Sequence, residues 1–192
     1  RAVLRSLVQS LGETCNLTAL DGDQVIHVER VETSEPLRLN IVPGSRHPLH
    51  CTAGGKLFLA QMNLVERREL LDRLVLTKMT PQTITDRKTL DRELDRLRDK
   101  MVGEDKEEFV RGMVGVAVPV INPDKKMVAA LVCHTATARK GLVELMELAQ
   151  FFVEVEGRVR RGIAELAEVE SGFVERVFEH AALHARPGLD IF

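Results

Sequence analysis

Apolar positions along the chain switch several times between a helical period and short β-prone runs. Ala2, Leu4, Leu7, Val8 and Leu11 recur at helical spacing and stop at Gly12, which predicts a first helix. Residues 15–20 and 24–31 read as strands joined by the hairpin turn Asp21-Gly22-Asp23. Residues 37–42 predict a third short strand, ended by Pro43-Gly44. Asn63 caps a further helix, with Glu66 three residues on as in a capping box, and Leu64, Leu71, Leu74 and Val75 as its expected buried face. Asp86 opens another, with Leu90, Leu94, Leu97 and Met101 on one side and a solvated face dense in Asp, Arg and Lys on the other. Residues 113–121 and 127–135 are apolar and β-prone around the turn at Asn122-Pro123-Asp124, so they should form a core hairpin. From Leu142 the pattern is helical again through Leu166, and Gly157, Gly162 and Gly172 predict a break near Ser171-Gly172. Antiparallel strands with helices at both ends of the order give an α+β class.

A length of 192 residues suits one domain that buries most of its apolar surface without staples. The three cysteines form no CxxC pair, so a reducing cytoplasm is the expected setting. No apolar run approaches membrane-spanning length and no signal peptide opens the chain. A net charge of -2 argues against a dedicated nucleic-acid surface in this chain. The chain opens on Arg1 without an initiator Met, and the expectation is a fragment of a longer protein.

Candidate chemistry centres on residues 44–60. A turn through Pro48 and the small residues Thr52, Ala53, Gly54 and Gly55 lead into an apolar helical pattern. The first N–H groups of such a helix lack intrahelical partners and, with the dipole behind them, can seat a small anion. The run Gly44-Ser-Arg-His-Pro-Leu-His-Cys-Thr-Ala-Gly-Gly-Lys-Leu-Phe-Leu-Ala60 resembles the signature of the effector-binding domain of IclR-family bacterial transcription factors. Similar matches follow in family order: Glu13-Thr-Cys-Asn-Leu-Thr-Ala-Leu-Asp-Gly-Asp23, Pro36-Leu-Arg-Leu39, Leu76-Thr-Lys-Met-Thr-Pro-Gln-Thr-Ile-Thr-Asp86 and Glu107-Glu-Phe109.

The resemblance implies a GAF-like, profilin-like antiparallel sheet flanked by helices, with a long C-terminal helix. It places an effector-binding domain at residues 1–170 and a helical extension at 171–192, with the N-terminal winged helix-turn-helix absent from this chain. It further implies a small organic acid as effector, DNA as partner through the absent domain, and a homodimer or homotetramer. No cofactor, metal, membrane contact or catalysis is implied. The effector residues carried over are Ala53, Gly54 and Gly55 in the loop, Asp105 before the central strand, Met113 and Gly115 on it, and Val132 and His134 on the next. The loop at 44–55 would be the part that opens and closes.

Many relatives thought to bind small keto acids carry Cys at the place of Gly115 and Ser-x-Ser at the places of Val132 and His134. The departure here predicts a roomier, more apolar site, and a bulky or aromatic carboxylate is expected over a keto acid. His134 shares a strand face with Val132, while Cys133 points the other way. Alternatives are an oligomerisation module without an effector, a metal site drawn from His47, His50, Cys133 and His134, or a Cys/His-dependent enzyme. Neither Cys51 beside His50 nor Cys133 beside His134 can act as a pair on a strand, because neighbours there face opposite ways.

Overall fold

The structure, a computed structural model, describes residues 1–148. Helix α1 (Ala2–Leu11) ends where Gly12 takes a left-handed conformation (φ 72°), and buries Leu4, Leu7 and Leu11. Strands β1 (Thr14–Asp21) and β2 (Gln24–Val31) form the expected hairpin, and β3 (Arg46–Pro48) pairs with the other edge of β2. Helices α2 (Ala53–Gln61), α3 (Leu64–Arg73) and α4 (Arg87–Lys100) follow in sequence. The chain then runs through β4 (Gly103–Lys106), β5 (Met113–Ile121) and β6 (Met127–Ala136). The six strands pair antiparallel in the order β3-β2-β1-β6-β5-β4, and residues 142–148 are helical.

Each face of the sheet carries a core. Leu4, Leu7 and Leu11 of α1 pack with Cys15, Val114, Val116, Val118, Leu131, Cys133 and Leu145 on one face. Leu57, Leu90, Leu94 and Leu97 of α2 and α4 cover Ala117, Ala130 and Val132 on the other. Helix α2 lies between sheet and α4, so every residue from Ala53 to Ala60 is buried, Lys56 included. Caps fix the helix starts: Thr52 Oγ1 accepts from Gly55 N, Asn63 Oδ1 from Val65 N and Glu66 N, and Asp86 from Thr89 N.

Three expectations change. Residues 37–42 are not a strand; they belong to an irregular segment crossing the sheet, and the strand that pairs with β2 is Arg46–Pro48. The buried face of α3 is Arg67, Leu70 and Leu71, with Leu74 buried just beyond, while Leu64 and Val75 are exposed. Met101 is also exposed, because the chain turns left-handed there (φ 55°) and α4 stops. The break near Ser171-Gly172, the long C-terminal helix and the 171–192 extension lie outside the described residues.

Candidate effector site

Neighbouring strands alternate their side chains, so Asn16 and Thr18 of β1 and Val132 and His134 of β6 project from one face. Cys15 and Cys133, opposite each other in register, project from the other. A bulge between Leu17 and Thr18 in the β1–β2 pairing sets Asn16 against Arg30 but Thr18 against His27. The extra residue brings Arg30 and His27 to the same face, although they are three apart in sequence. The first turn of α2 lies across this face. A Cβ on Gly54 would fall 2.9 Å from Thr18 Oγ1 and 3.3 Å from Val132 Cγ2, so only glycine gives this close an approach.

These elements enclose a cavity lined by Thr18, Val25, His27, Thr52, Gly54, Phe109, Val132 and His134, with Ile41 above it. Its free volume is about 10 Å³, close to what one water molecule needs. Ile41 belongs to the irregular segment at 32–45, which Arg30 of β2 and Arg139, just past β6, tie down. Arg30 donates to the Leu39 carbonyl, and Arg139 donates to the Leu37 carbonyl at 2.7 Å. Arg139 also forks onto Glu13 at 3.1 and 2.8 Å, and Lys140 reaches it at 2.9 Å. Burial works to raise the Glu13 pKa, but these two cations hold it below the usual carboxylate value.

Among the described residues no carboxylate lines the cavity. Its polar groups are Thr18, Thr52, His27 and His134, together with the α2 N-terminus. Lys56 N and Gly55 N bond back to Thr52, which leaves the Ala53 and Gly54 N–H groups as the first-turn donors without an intrahelical acceptor. His27 is buried with Nδ1 unpartnered, and it meets His47 edge-on at 5.0 Å, which in turn meets Phe109 at 4.9 Å. Burial, then the neighbouring His47, His134 and Arg30, drives the His27 pKa well below its ordinary value. Burial brings His47 down to about 4, and burial with Arg30 and His47 brings His134 down to about 3.

Native imidazoles that resist protonation destabilise the fold in acid. Below pH 6.5 the unfolded chain takes up protons that the folded histidines refuse, so stability falls until the folded values near 4 and 3 are reached. Asp105 acts oppositely over part of this range. Burial pushes it up to about 7, so the folded chain holds the extra proton and gains stability as pH falls towards 3.8. Burial lowers the His50 pKa too, and four histidines against one carboxyl should give a net loss of stability from pH 6.5 to 4, read as a falling melting temperature. In Asp105→Asn the fall should be steeper; an unchanged or shallower fall would contradict these assignments.

Of the residues expected in the site, Gly54, Val132 and His134 come together around the cavity. Ala53 is in the same helical turn. Gly55 backs onto Leu49 instead, where a Cβ would lie 2.4 Å from the Leu49 carbonyl oxygen. Gly115 opens no extra room: a Cβ there would sit 2.9 Å from His134 Cδ2, so the imidazole ring occupies that space. Met113 is buried at the start of β5, opposite Ala136 and outside the cavity lining. Asp105 turns inward to the backbone, accepting from Glu108 N at 2.8 Å and Phe109 N at 3.3 Å; it shapes the loop that carries Phe109. The 44–55 run, expected to open and close, includes the β3 pairing and the fully buried Leu49 and Cys51, while Ile41 of the 32–45 segment lies over the cavity. Sequence reasoning missed Thr18, Val25, His27, Ile41 and Phe109. The signals were present only for His27, a histidine in an apolar strand.

The cysteines are poorly placed for catalysis. Burial, Asp105 and Glu108 push Cys51 up to about 12, and His50 Nε2 is bonded to the Thr77 carbonyl at 2.9 Å. Cys133 pairs with Cys15 on the face away from His134, and that neighbour together with burial raises its pKa well above the ordinary thiol value. Among the described residues no three His, Cys, Asp or Glu side chains converge as a metal site, and no helix is long and apolar enough to cross a membrane.

The same fold occurs in known proteins. The profile of the family described as "Bacterial transcriptional regulator IclR C-terminal" matches residues 1–155. The chain belongs to that family. It is 43% identical over 145 residues to the probable transcriptional regulator SauR of Cupriavidus necator, covering 76% of this chain and 58% of that protein. Among solved structures, a putative transcriptional regulator, RHA06195, from Rhodococcus sp. RHA1 superposes with a TM-score of 0.83 at 25% identity, covering 86% of this chain and 68% of the other. A double mutant of the PobR inducer-binding domain from Acinetobacter, in complex with 3-hydroxybenzoic acid, superposes with a TM-score of 0.75 at 28% identity. That match covers 83% of this chain and 94% of the PobR domain. The chain therefore spans under three-fifths of SauR but nearly all of an isolated IclR-type effector domain.

Proposed function

We propose that this chain is the effector-sensing and self-associating part of an IclR-type regulator, with DNA binding in a domain outside it. The effector is a small organic acid held in the cavity between β1, β6 and α2. The observation that carries this reading is the pairing of unsatisfied polar groups with an acid-free lining. The Ala53 and Gly54 N–H groups begin a helix, and among the described residues His27 Nδ1 is buried without a partner and no carboxylate opposes an incoming anion. Val25, Ile41, Phe109 and Val132 supply apolar walls, which favours bulky or aromatic acids. The PobR domain, a structural neighbour complexed with 3-hydroxybenzoic acid, supports the same preference. Since His134 fills the space beside Gly115, room for a ring comes from lifting Ile41 and its segment. Binding then favours one arrangement of that segment, and of the attached domains, over another.

Thermal melting against keto, aliphatic and aromatic acids tests this. An acid at a hundredfold excess over its dissociation constant adds about 2.7 kcal/mol, a rise of roughly 5–10 °C for a domain of this size. Hydroxybenzoates should shift the melt more than pyruvate or glyoxylate. A shift confined to the keto acids would overturn the aromatic preference, and no shift from any acid would favour an assembly module without an effector.

A further inference from the structure

Behind the cavity the exposed Glu32 leads into the buried polar groups Arg30, Asn16 and His134, whose hydrogen bonds permit only one direction. Arg30 Nε donates to Glu32 Oε1 at 3.1 Å, and its Nη1 donates to Asn16 Oδ1 at 3.2 Å. Asn16 Nδ2 then meets His134 Nδ1 at 3.0 Å. A guanidinium has no acceptor, so the oxygen of the Asn16 amide must face Arg30. The amide nitrogen, with its two protons, is left for the imidazole, and His134 Nδ1 must accept. An imidazolium, or the other neutral tautomer, would set N–H against N–H in a site where neither group can turn to water. The proton of His134 therefore sits on Nε2. That atom has no partner among the described residues, and it lies on the ring edge that rests over Gly115.

We propose that the Glu32–Arg30–Asn16–His134 chain locks His134, whose ring lines the cavity, as a neutral Nε2–H donor, so that the site selects effectors presenting an acceptor oxygen to it. The proposal rests on reading the cavity as the effector site. The acid group is held at the α2 N-terminus, and the second recognition point is a hydroxyl, carbonyl or second oxyanion. An ammonium at that position would face the locked donor and the Arg30 charge, with no carboxylate in the lining to receive it. Amino acids are thereby rejected in favour of hydroxy-, oxo- or dicarboxylic acids. His134 is a specificity residue, and Asn16 is a positioning residue that acts through it. The same guanidinium holds the covering segment at the Leu39 carbonyl, so the selecting donor and the cover share one anchor.

Nitrogen-15 NMR of the histidine rings in the ligand-free chain reads the tautomer directly, with the His134 signal assigned by its loss in His134→Gln. The wild type at neutral pH should show His134 protonated at Nε2 and bare at Nδ1. In Asn16→Asp the carboxylate accepts from both Arg30 and the ring, and the proton should move to Nδ1. A wild type protonated at Nδ1, or an unchanged tautomer in a folded Asn16→Asp, would overturn the lock. Calorimetry then compares succinate with β-alanine, and 3-hydroxybenzoate with 3-(aminomethyl)benzoate. The oxygen-terminated member of a pair should bind at least about tenfold more tightly, the equivalent of about 1.4 kcal/mol. Equal affinities would overturn the selection. Failure of all four acids to bind would count against the acid-sensing reading itself, while the ligand-free tautomer decides the lock independently.

Discussion

Lys56→Met should cost about 3–5 kcal/mol of stability, because it strips the counter-charge from a buried carboxylate. Lys56 is fully buried, its ammonium against the Glu108 carboxylate and 4.0 Å from Glu93. Glu108 is itself buried, and its second oxygen has no hydrogen-bond partner. Asp105, within the same cluster, is already pushed up to about 7 by burial despite the help of Lys56. Without the lysine the interior keeps the buried Glu108 and Asp105 carboxyl groups and loses the cation paired with Glu108. At roughly 2–4 °C per kcal/mol the melting temperature should fall by about 6–20 °C. The double variant Lys56→Met/Glu108→Leu should recover most of that loss, since replacing a whole buried pair by apolar groups is close to neutral. Equal losses in the single and double variants would mean that the lysine stem, and not the charge pair, supplies the stability.

Gly103→Ala should be nearly as damaging. β4 runs so close beneath α2 that an added Cβ would lie 2.1 Å from the Ala53 carbonyl oxygen and 2.8 Å from Leu57 Cβ. The obstacle is backbone, which cannot rotate away, so α2 would have to lift from the sheet edge. Overpacking of this kind costs about 1–3 kcal/mol, and a clash against backbone belongs at or above the upper end. The same shift would move the first turn of α2, so Gly103→Ala should also weaken acid binding. Gly141→Ala is the matched control: its Cβ would meet only Glu144 Oε2 at 3.7 Å, and its effect should stay within about 0.5 kcal/mol. A melting temperature for Gly103→Ala equal to that of the control would contradict the close approach of β4 to α2.

Periodicity made much of this fold legible. The β1–β2 and β5–β6 hairpins and helices α1, α3 and α4 follow the alternation and caps of the sequence, because each presents one apolar face to one core. β3 and β4 escaped because they are three and four residues long and rich in charge; their pairing is decided by the neighbouring strand. The α3 face was misread because Arg67 is buried between Asp91 and Asp95, and a charged residue at a buried position breaks the apolar count. Lys56 was hidden for the same reason within a helix buried all round.

The lining of the candidate cavity was legible where the family signature reaches it, at Gly54, Val132 and His134. It was not legible where tertiary geometry makes it. His27 arrives through a bulge, Phe109 through a loop held by Asp105, and Ile41 through a segment with no period at all. Gly115 shows the limit of reading volume from residue types. A missing side chain left no vacancy, because the imidazole two ladder positions beyond Val132 filled it.

Hydrogen exchange of the whole chain, with and without saturating 3-hydroxybenzoate or pyruvate, tests the central claim most directly. Binding at the α2 N-terminus beneath the Ile41 segment should slow exchange at Ala53, Gly54 and residues 32–45, and leave the α3–α4 surface around Arg68 and Lys88 unchanged. Protection confined to that surface, or saturating acid with no change at Ala53 and Gly54, would contradict it.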